Sequence, residues 1–131
     1  MAVWHGESGR TPTGGKIVVA RKKRKYELGS LPLLTKIGKE KRIAKRTKGG
    51  GEKIKAVSVE FVNVFDEKNN SVKKSKILHI LENPANPNYV RRGILTKGTI
   101  VNTEMGKVKI TSRPSQVGSV SGILMAETKK E

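Results

Sequence analysis

The chain has 131 residues, of which 28 are Lys or Arg and 11 are Asp or Glu, so its formal net charge is +17. Small domains carry net charges of about 2 to 8, and the direct physical use of a larger positive charge is to bind a polyanion. The absence of cysteine excludes a disulfide framework and a thiolate metal site. No apolar run approaches the roughly 18 residues of a membrane span. MAVWHGESGR at the N-terminus lacks the apolar segment of a secretory signal, so we expect a cytoplasmic protein.

The positive charge is concentrated in the first part of the chain. Residues 1–55 contain 16 Lys and Arg against four Glu, whereas residues 56–131 contain 12 against seven Asp and Glu. TPTGGK (11–16) reads as a loop, and KIVVARKKRKYEL (16–28) fits either a short helix or an extended strand. We expect residues 1–40 to form an extended basic segment that is disordered alone and ordered by a partner.

From residue 41 the pattern predicts strands separated by turns rich in Gly, Pro and Asn. The predicted strands are RIAKRTK (42–48), KIKAVSVEFVNVF (53–65), SVKKSKILHILEN (71–83), TIVNTE (99–104), KVKITSR (107–113) and SVSGILMA (119–126). With no clear helix, this pattern predicts an all-β fold. We expect a small closed or nearly closed β-barrel of about six strands over residues 41–127, because closure removes exposed edges. Residues 128–131 are expected to be a flexible tail.

Several turns and faces follow from the same pattern. The run at 53–65 is long enough to contain a bulge or bend, with Val57, Val59 and Phe61 on one face and Val62 and Val64 on the other. The turn at 66–71 contains Asn69 and Asn70, which tolerate positive φ. Met105-Gly106 is a two-residue hairpin signal. Pro84 and Pro87 are expected to hold the loop ENPANPNYVRRG (82–93) rigid.

Catalysis has little support in the sequence. The histidines are His5, in the predicted tail, and His79, between apolar residues of a predicted strand. The carboxylates are scattered, and TGGK at 13–16 lacks an upstream glycine at the spacing that a phosphate-binding loop requires. We expect no enzyme activity, no cofactor, no metal and no small-molecule substrate.

Binding to RNA explains the charge better. Arg and Lys contact phosphates, Arg also stacks on bases, and glycines allow the backbone to approach closely. The residues expected to contact RNA are Arg10, Lys16, Arg21, Lys22, Lys23, Arg24, Lys25, Lys36, Lys39, Lys41, Arg42, Lys45, Arg46, Lys48, Arg91 and Arg92. Trp4 and Tyr26 are candidates for base stacking, although Tyr26 fits equally well as an anchor onto the barrel. Gly14 and Gly15 are expected to bring the backbone close to phosphates. No signature of a base-reading module is present, so recognition through shape and phosphates is expected.

Three stretches resemble a known family. They are Arg10 with TGGK (13–16), RKKRKYELG (21–29) and TKIG (35–38); then KRTKGGGEKIKA (45–56); then ENPANPNYVRRGILTKGTIV (82–101). Together they resemble the small-subunit ribosomal protein family numbered eight with the "e" suffix, which is found in archaea and eukaryotes and is absent from bacteria. The chain lacks the long insertion of eukaryotic members, so it is similar to the archaeal type.

The resemblance implies a structural component of the small ribosomal subunit. Such a protein binds ribosomal RNA, lies beside neighbouring ribosomal proteins, and supports subunit assembly and translation. It implies a β-barrel with an extended N-terminus. We expect no membrane partner. A free RNA chaperone or translation factor of the same architecture is the alternative, distinguished by its substoichiometric amount. An enzyme that acts on RNA through His79 is a third possibility.

Overall fold

Two units make up the chain in the computed structural model, Met1–Pro32 and Leu33–Glu131, and the structure describes residues 3–125 of them. The predicted extended segment, residues 1–40, runs past the first unit, because Thr35–Ile37 form a strand of the second. The predicted tail at residues 128–131 lies outside the described residues.

The first unit contains little regular structure. Strands β1 (Val3–Trp4) and β2 (Leu28–Gly29) pair antiparallel, and one turn of 3-10 helix covers Lys25–Glu27. KIVVARKKRKYEL, for which the sequence left helix and strand open, is therefore mostly irregular. None of residues 3–32 is buried, so hydrogen bonds and ion pairs rather than a core hold the described part of this unit.

The second unit is built of strands. They are β3 (Thr35–Ile37), β4 (Lys41–Arg46), β5 (Glu52–Val59), β6 (Phe61–Asp66), β7 (Ser71–Glu82), β8 (Ile94–Leu95), β9 (Ile100–Thr103), β10 (Gly106–Ile110) and β11 (Ser121–Leu124). Five of them close a barrel in the order β10, β11, β6, β7, β9, with only β6 and β11 parallel. The other four form a sheet in the order β4, β5, β3, β8. The predicted all-β barrel is confirmed, although the described strands exceed the six expected and are divided between a barrel and a sheet.

The predicted bend in the long run 53–65 falls at Glu60. There β5 leaves the four-stranded sheet and β6 enters the barrel, and the Glu60 carbonyl accepts a hydrogen bond from the Ile77 N–H at 2.9 Å. Val59 before the break and Val62 after it are both buried, so the inward face changes parity across Glu60. The prediction that Phe61 lies on the same face as Val59 is therefore wrong, since Val59 is buried and Phe61 is 36% exposed.

The core of the second unit is entirely aliphatic. It consists of Ala56, Val59, Val62, Val64, Ile77, Ile80, Leu95, Val101, Val108, Ile110 and Val120. β-branched side chains fill these positions because they pack well on a pleated, twisted surface. Register shifts of β7 against β9 supply the extra curvature that closing a small barrel requires.

The connections agree with the sequence in part. Asn70 has φ 47°, as its turn required. The β9–β10 hairpin forms, but Thr103 pairs with Gly106, so its two loop residues are Glu104 and Met105 rather than Met105 and Gly106.

Two four-residue helices, α1 (Asn88–Arg91) and α2 (Pro114–Val117), occupy loops where no helix was expected. In α2, Pro114 occupies the start of the helix, where a missing N–H costs nothing. Neither helix, nor any other within residues 3–125, has the length and apolar content needed to cross a membrane.

Candidate nucleic-acid interface

In the first unit Glu27 holds three parts of the chain together. Its carboxylate accepts hydrogen bonds from the Trp4 indole N–H at 3.1 Å, the Arg24 backbone N–H at 3.1 Å and the Arg21 guanidinium at 2.5 Å. These donors stabilise the charged form and hold the pKa of Glu27 below its ordinary value, the Arg24 amide contributing most, then Trp4, then Arg21. We call Glu27, Trp4, Arg21 and Arg24 the Glu27 cluster. It fixes the position of Arg21, the first of the five consecutive cations Arg21–Lys25 that we call the cationic run.

In the cationic run, a carboxylate neutralises one of the five cations and not the other four. Arg21 pairs with Glu27, whereas Lys22, Lys23, Arg24 and Lys25 are exposed and form no ion pair with residues 3–125. Four neighbouring cations without a carboxylate repel each other, so an external anion lowers their energy. This run is the strongest candidate of the first unit for phosphate contact.

The two aromatic side chains predicted to stack on bases differ in their surroundings. Trp4 is half-buried: Lys23 Nζ lies 5.0 Å from its ring centroid, and a Cβ on Gly6 would lie 2.1 Å from the indole. Trp4 also lines a cleft of about 520 Å³ together with Val19 and Lys22. Tyr26 is 79% exposed, with the Arg21 guanidinium 5.8 Å from its ring. Trp4 thus has a structural role within the unit, and Tyr26 presents the more accessible ring.

The loop at residues 10–16 uses its own polar groups. The Gly14 N–H donates to the Thr11 carbonyl at 2.9 Å, and the Gly15 N–H donates to Thr11 Oγ1 at 2.9 Å. Gly14 has φ +87°, a conformation that favours glycine. Arg10 donates to the Gly14 carbonyl at 2.9 Å, and Lys16 is exposed. Both glycine amides are committed inside the turn, so phosphates would meet the side chains of Arg10 and Lys16 before these amides.

In the second unit β4 and β5 form a basic two-stranded ribbon. Every residue of β4 is exposed, including the predicted Lys41, Arg42, Lys45 and Arg46. Arg42 is also hydrogen-bonded to the carboxylate of Glu40. The connection carries the predicted Lys48 in a single 3-10 turn, Lys48–Gly50. Charged side chains on an edge strand also prevent pairing with other chains, which is an alternative reason for their presence.

The register of this ribbon reveals two cations that sequence reasoning missed. Lys53 lies directly opposite Lys45, and Lys55 lies opposite Ile43. Like charges directly opposite each other destabilise a strand pair, so the Lys45–Lys53 pair costs the free protein stability. The glycine turn at 49–51 was a signal that could have found them, because pairing the predicted strands on either side of it places Lys53 beside Lys45. The sequence analysis did not pair these two strands. We call Lys41, Arg42, Lys45, Arg46, Lys48, Lys53 and Lys55 the basic ribbon.

The remaining predicted cations lie elsewhere on the second unit. Lys36 on β3 and Lys39 after it are exposed. Arg91 and Arg92 are exposed at the end of α1. Buried Asn83 holds the preceding loop: its side chain donates to the Ile94 carbonyl at 3.2 Å and accepts from the Ala85 N–H and the Thr96 hydroxyl, each at 3.0 Å. An asparagine therefore ties the loop to β8 and to Thr96, in addition to the rigidity expected from its prolines.

Within the part of the chain that the structure describes, titratable groups suited to catalysis are not brought together. His79 is exposed on β7 and lies opposite Asn102. Among residues 3–125 no group of three or more His, Cys, Asp or Glu side chains is placed to hold a metal ion.

Nearly the whole chain matches known proteins in sequence. A family model described as "Ribosomal protein S8e" matches residues 4–125. The chain belongs to this family. It is 47% identical over 128 residues to the "Small ribosomal subunit protein eS8" of Sulfurisphaera tokodaii, covering 97% of this chain and 100% of that protein. It is 46% identical over 124 residues to the protein of the same name from Methanoregula boonei, covering 95% and 99% of the two chains. The protein of that name from Methanocorpusculum labreanum is 45% identical over 123 residues, covering 94% and 98%.

Membership of the S8e family confirms the resemblance seen in the three sequence stretches. The match includes both basic regions, since it begins at residue 4 and ends at residue 125. These relatives are archaeal proteins of nearly the same length as this chain, as the predicted archaeal type requires.

Proposed function

We propose that this protein is a structural constituent of the small ribosomal subunit that binds ribosomal RNA through phosphate contacts and shape. The relatives named as small-subunit proteins support the place of action, which is the cytoplasmic ribosome. The contact residues are the cationic run of the first unit, the basic ribbon, and the further predicted cations Arg10, Lys16, Lys36, Lys39, Arg91 and Arg92. Its partners are ribosomal RNA and neighbouring ribosomal proteins, with no small-molecule substrate and no membrane.

The observation that best supports contact with RNA is that neighbouring cations repel each other and no carboxylate among residues 3–125 relieves this repulsion. Lys22 to Lys25 have no carboxylate partner among residues 3–125, and Lys45 faces Lys53 across the ribbon. Both arrangements cost stability in the free chain. Packing against RNA phosphates reverses this cost, because each neutralised phosphate releases counterions.

This function needs no catalytic group. His79 is exposed and has no acid or nucleophile opposite it in the pairing with β9. The protein is therefore proposed to be a binding component and not an enzyme. A free RNA chaperone or translation factor would use the same cations, and one copy per subunit in purified ribosomes is the result that separates a structural constituent from such a factor.

The test replaces the four cations of the run that lie outside the Glu27 ion pair: Lys22→Ala, Lys23→Ala, Arg24→Ala and Lys25→Ala together. Binding to small-subunit ribosomal RNA is measured by filter retention between about 50 and 200 mM KCl. Each lost phosphate contact flattens the slope of log K against log salt by about 0.7–0.9, so four contacts flatten it by about 3. Wild type should then lose about 50- to 150-fold more affinity than the variant across this range.

A matched variant controls for net charge. Lys68→Ala, Lys97→Ala, Lys107→Ala and Lys109→Ala remove the same charge from exposed positions outside the predicted interface. This control should change the slope much less. Equal slopes for the two variants, or binding by wild type that does not depend on salt, would mean that the run does not contact phosphates.

A further inference from the structure

The aromatic side chains of this protein are placed unusually. All five aromatic residues of the sequence, Trp4, Tyr26, Phe61, Phe65 and Tyr89, lie outside the buried core, which contains only aliphatic side chains. Aromatic rings normally dominate the energetics of cores, because each buries a large apolar area. Phe61 and Phe65 are each 36% exposed although both stand in a barrel strand. Each of these two rings therefore leaves about a third of its surface open to a partner.

The two phenylalanines share one face of β6. Val62 and Val64, which lie between them in the strand, are fully buried, so Phe61, Asn63 and Phe65 point outward. Four residues along a strand span about 13 Å, at roughly 3.3 Å per residue. That is about four times the 3.4 Å spacing of stacked bases. Two bases seated on these rings would belong to a splayed, unpaired segment and not to a continuous stack.

Cations stand beside this aromatic stripe. The register of β6 with β7 puts Lys76 opposite Phe61 and Lys74 opposite Asn63. Lys74 Nζ lies 4.5 Å from the Phe61 ring centroid, whereas Lys76 pairs with Glu60 at 3.0 Å. We call Phe61, Asn63, Phe65, Lys74 and Lys76 the β6 face. Aromatic rings interleaved with lysines are the arrangement on which single-stranded nucleic acids bind.

A small cleft beside Phe61 limits what can bind. Its volume is about 250 Å³, and its lining includes Phe61, Asn63, Lys74 and Arg42. Pockets for small-molecule ligands are about 300–1,000 Å³, so this cleft suits one planar ring and not a complete cofactor. Glu40 also lines it, but Arg42 is hydrogen-bonded to that carboxylate, and Lys74 leaves the cleft positive.

We propose that the β6 face binds an unpaired segment of ribosomal RNA, with bases stacked on Phe61 and Phe65 and a phosphate held by Lys74. The Asn63 amide lies between the rings and offers both a donor and an acceptor to a base edge. This inference rests on the proposed function and deepens it, since it adds a contact with bases to contacts with phosphates.

The test separates stacking from charge. The full-length chain carrying Phe61→Leu and Phe65→Leu is compared with the chain carrying Phe61→Tyr and Phe65→Tyr. The probes are a short single-stranded RNA without secondary structure and a fully paired RNA duplex. Stacking is worth about 1–3 kcal/mol per base, which corresponds to about 5- to 150-fold in affinity per ring. The leucine variant should therefore bind single-stranded RNA at least about fivefold more weakly, with the salt slope and the duplex affinity unchanged.

The controls make every outcome informative. The tyrosine variant should bind as wild type, and Leu78→Ala with Val117→Ala, two apolar residues 52% and 60% exposed, should also leave binding unchanged. Equal binding by the leucine and tyrosine variants, or a changed salt slope, overturns the inference. The inference is also overturned if the leucine variant binds RNA as tightly as wild type but fails to enter reconstituted subunits. The β6 face would then bind a protein and not RNA. Failure of wild type to bind small-subunit RNA would instead refute the proposed function.

Discussion

Replacing Lys53 by Glu should stabilise the free protein and weaken its binding to RNA. Lys53 lies directly opposite Lys45, and both side chains are exposed. A like-charged pair at this position costs roughly 0.2–1 kcal/mol, and an opposite pair contributes a similar amount. Because exposed ion pairs are worth little, we expect Lys53→Glu to raise the unfolding free energy by about 0.5–1 kcal/mol. For a unit of this size that corresponds to a rise in Tm of about 2–8 °C.

The same substitution removes a phosphate contact. The slope of log K against log salt for small-subunit RNA should flatten by about 1. Stability is read by far-UV circular dichroism during heating at low ionic strength, and the gain should disappear near 1 M salt, where the Debye length falls to about 3 Å. Binding to RNA is measured by filter retention between about 50 and 200 mM KCl, as in the test of the cationic run.

Lys107→Glu is the matched control for this prediction. Lys107 is exposed on β10 and lies opposite the neutral Asn102, so it has no like-charged partner to relieve. It should give no gain in Tm and a smaller change in the salt slope. If Lys53→Glu lowers Tm, the two lysines do not repel each other as the register implies. If Tm rises while RNA binding is unaffected, the ribbon does not contact phosphate and its charge protects the sheet edge.

Two further predictions concern residues that hold the candidate interface in place. Because the pKa of Glu27 is lowered, its contacts persist above the ordinary value of 4.5 and are lost as pH falls through the lower value. The fluorescence emission of Trp4, the single tryptophan, should therefore change with pH only below pH 4.5. Glu27→Gln should abolish this transition. A transition midpoint above pH 4.5 would refute the role of the cluster. Asn83→Ala should lower the unfolding free energy in urea by about 1–3 kcal/mol, because buried partners lose their hydrogen bonds. Asn86→Ala, which removes one exposed hydrogen bond, should cost less, and equal losses would contradict this account.

The sequence predicted the fold class because β-branched runs between turn residues have few other solutions. It did not locate Glu60, where the long strand leaves the sheet and enters the barrel. A shift of one residue moves every following side chain to the opposite face, so the misplacement of Phe61 follows from that single position. Periodicity reports that residues alternate, but it does not report where a strand changes its partner.

The candidate interface was predictable in composition but not in arrangement. The excess of Lys and Arg before residue 56 is visible in the sequence, and the run at Arg21–Lys25 needs no structure to be found. Lys53 and Lys55 were missed because their significance depends on strand register. The inward use of the Gly14 and Gly15 amides was missed because hydrogen bonds within a loop leave no periodic signal. These features depend on which groups meet, and that is settled by the folded backbone.

The Glu27 cluster shows how a segment with no buried residue between positions 3 and 32 can still present charge in a defined place. Glu27 satisfies the Trp4 indole and the Arg24 amide and neutralises Arg21, the first cation of the run. One carboxylate therefore stabilises the start of the run, and the other four charges form no ion pair within the described residues 3–125. A second carboxylate would stabilise the free unit further, but it would compete with phosphate for the same side chains. Under the proposed function, Glu27 as the one acidic partner of the run among residues 3–125 leaves the other cations available to phosphate.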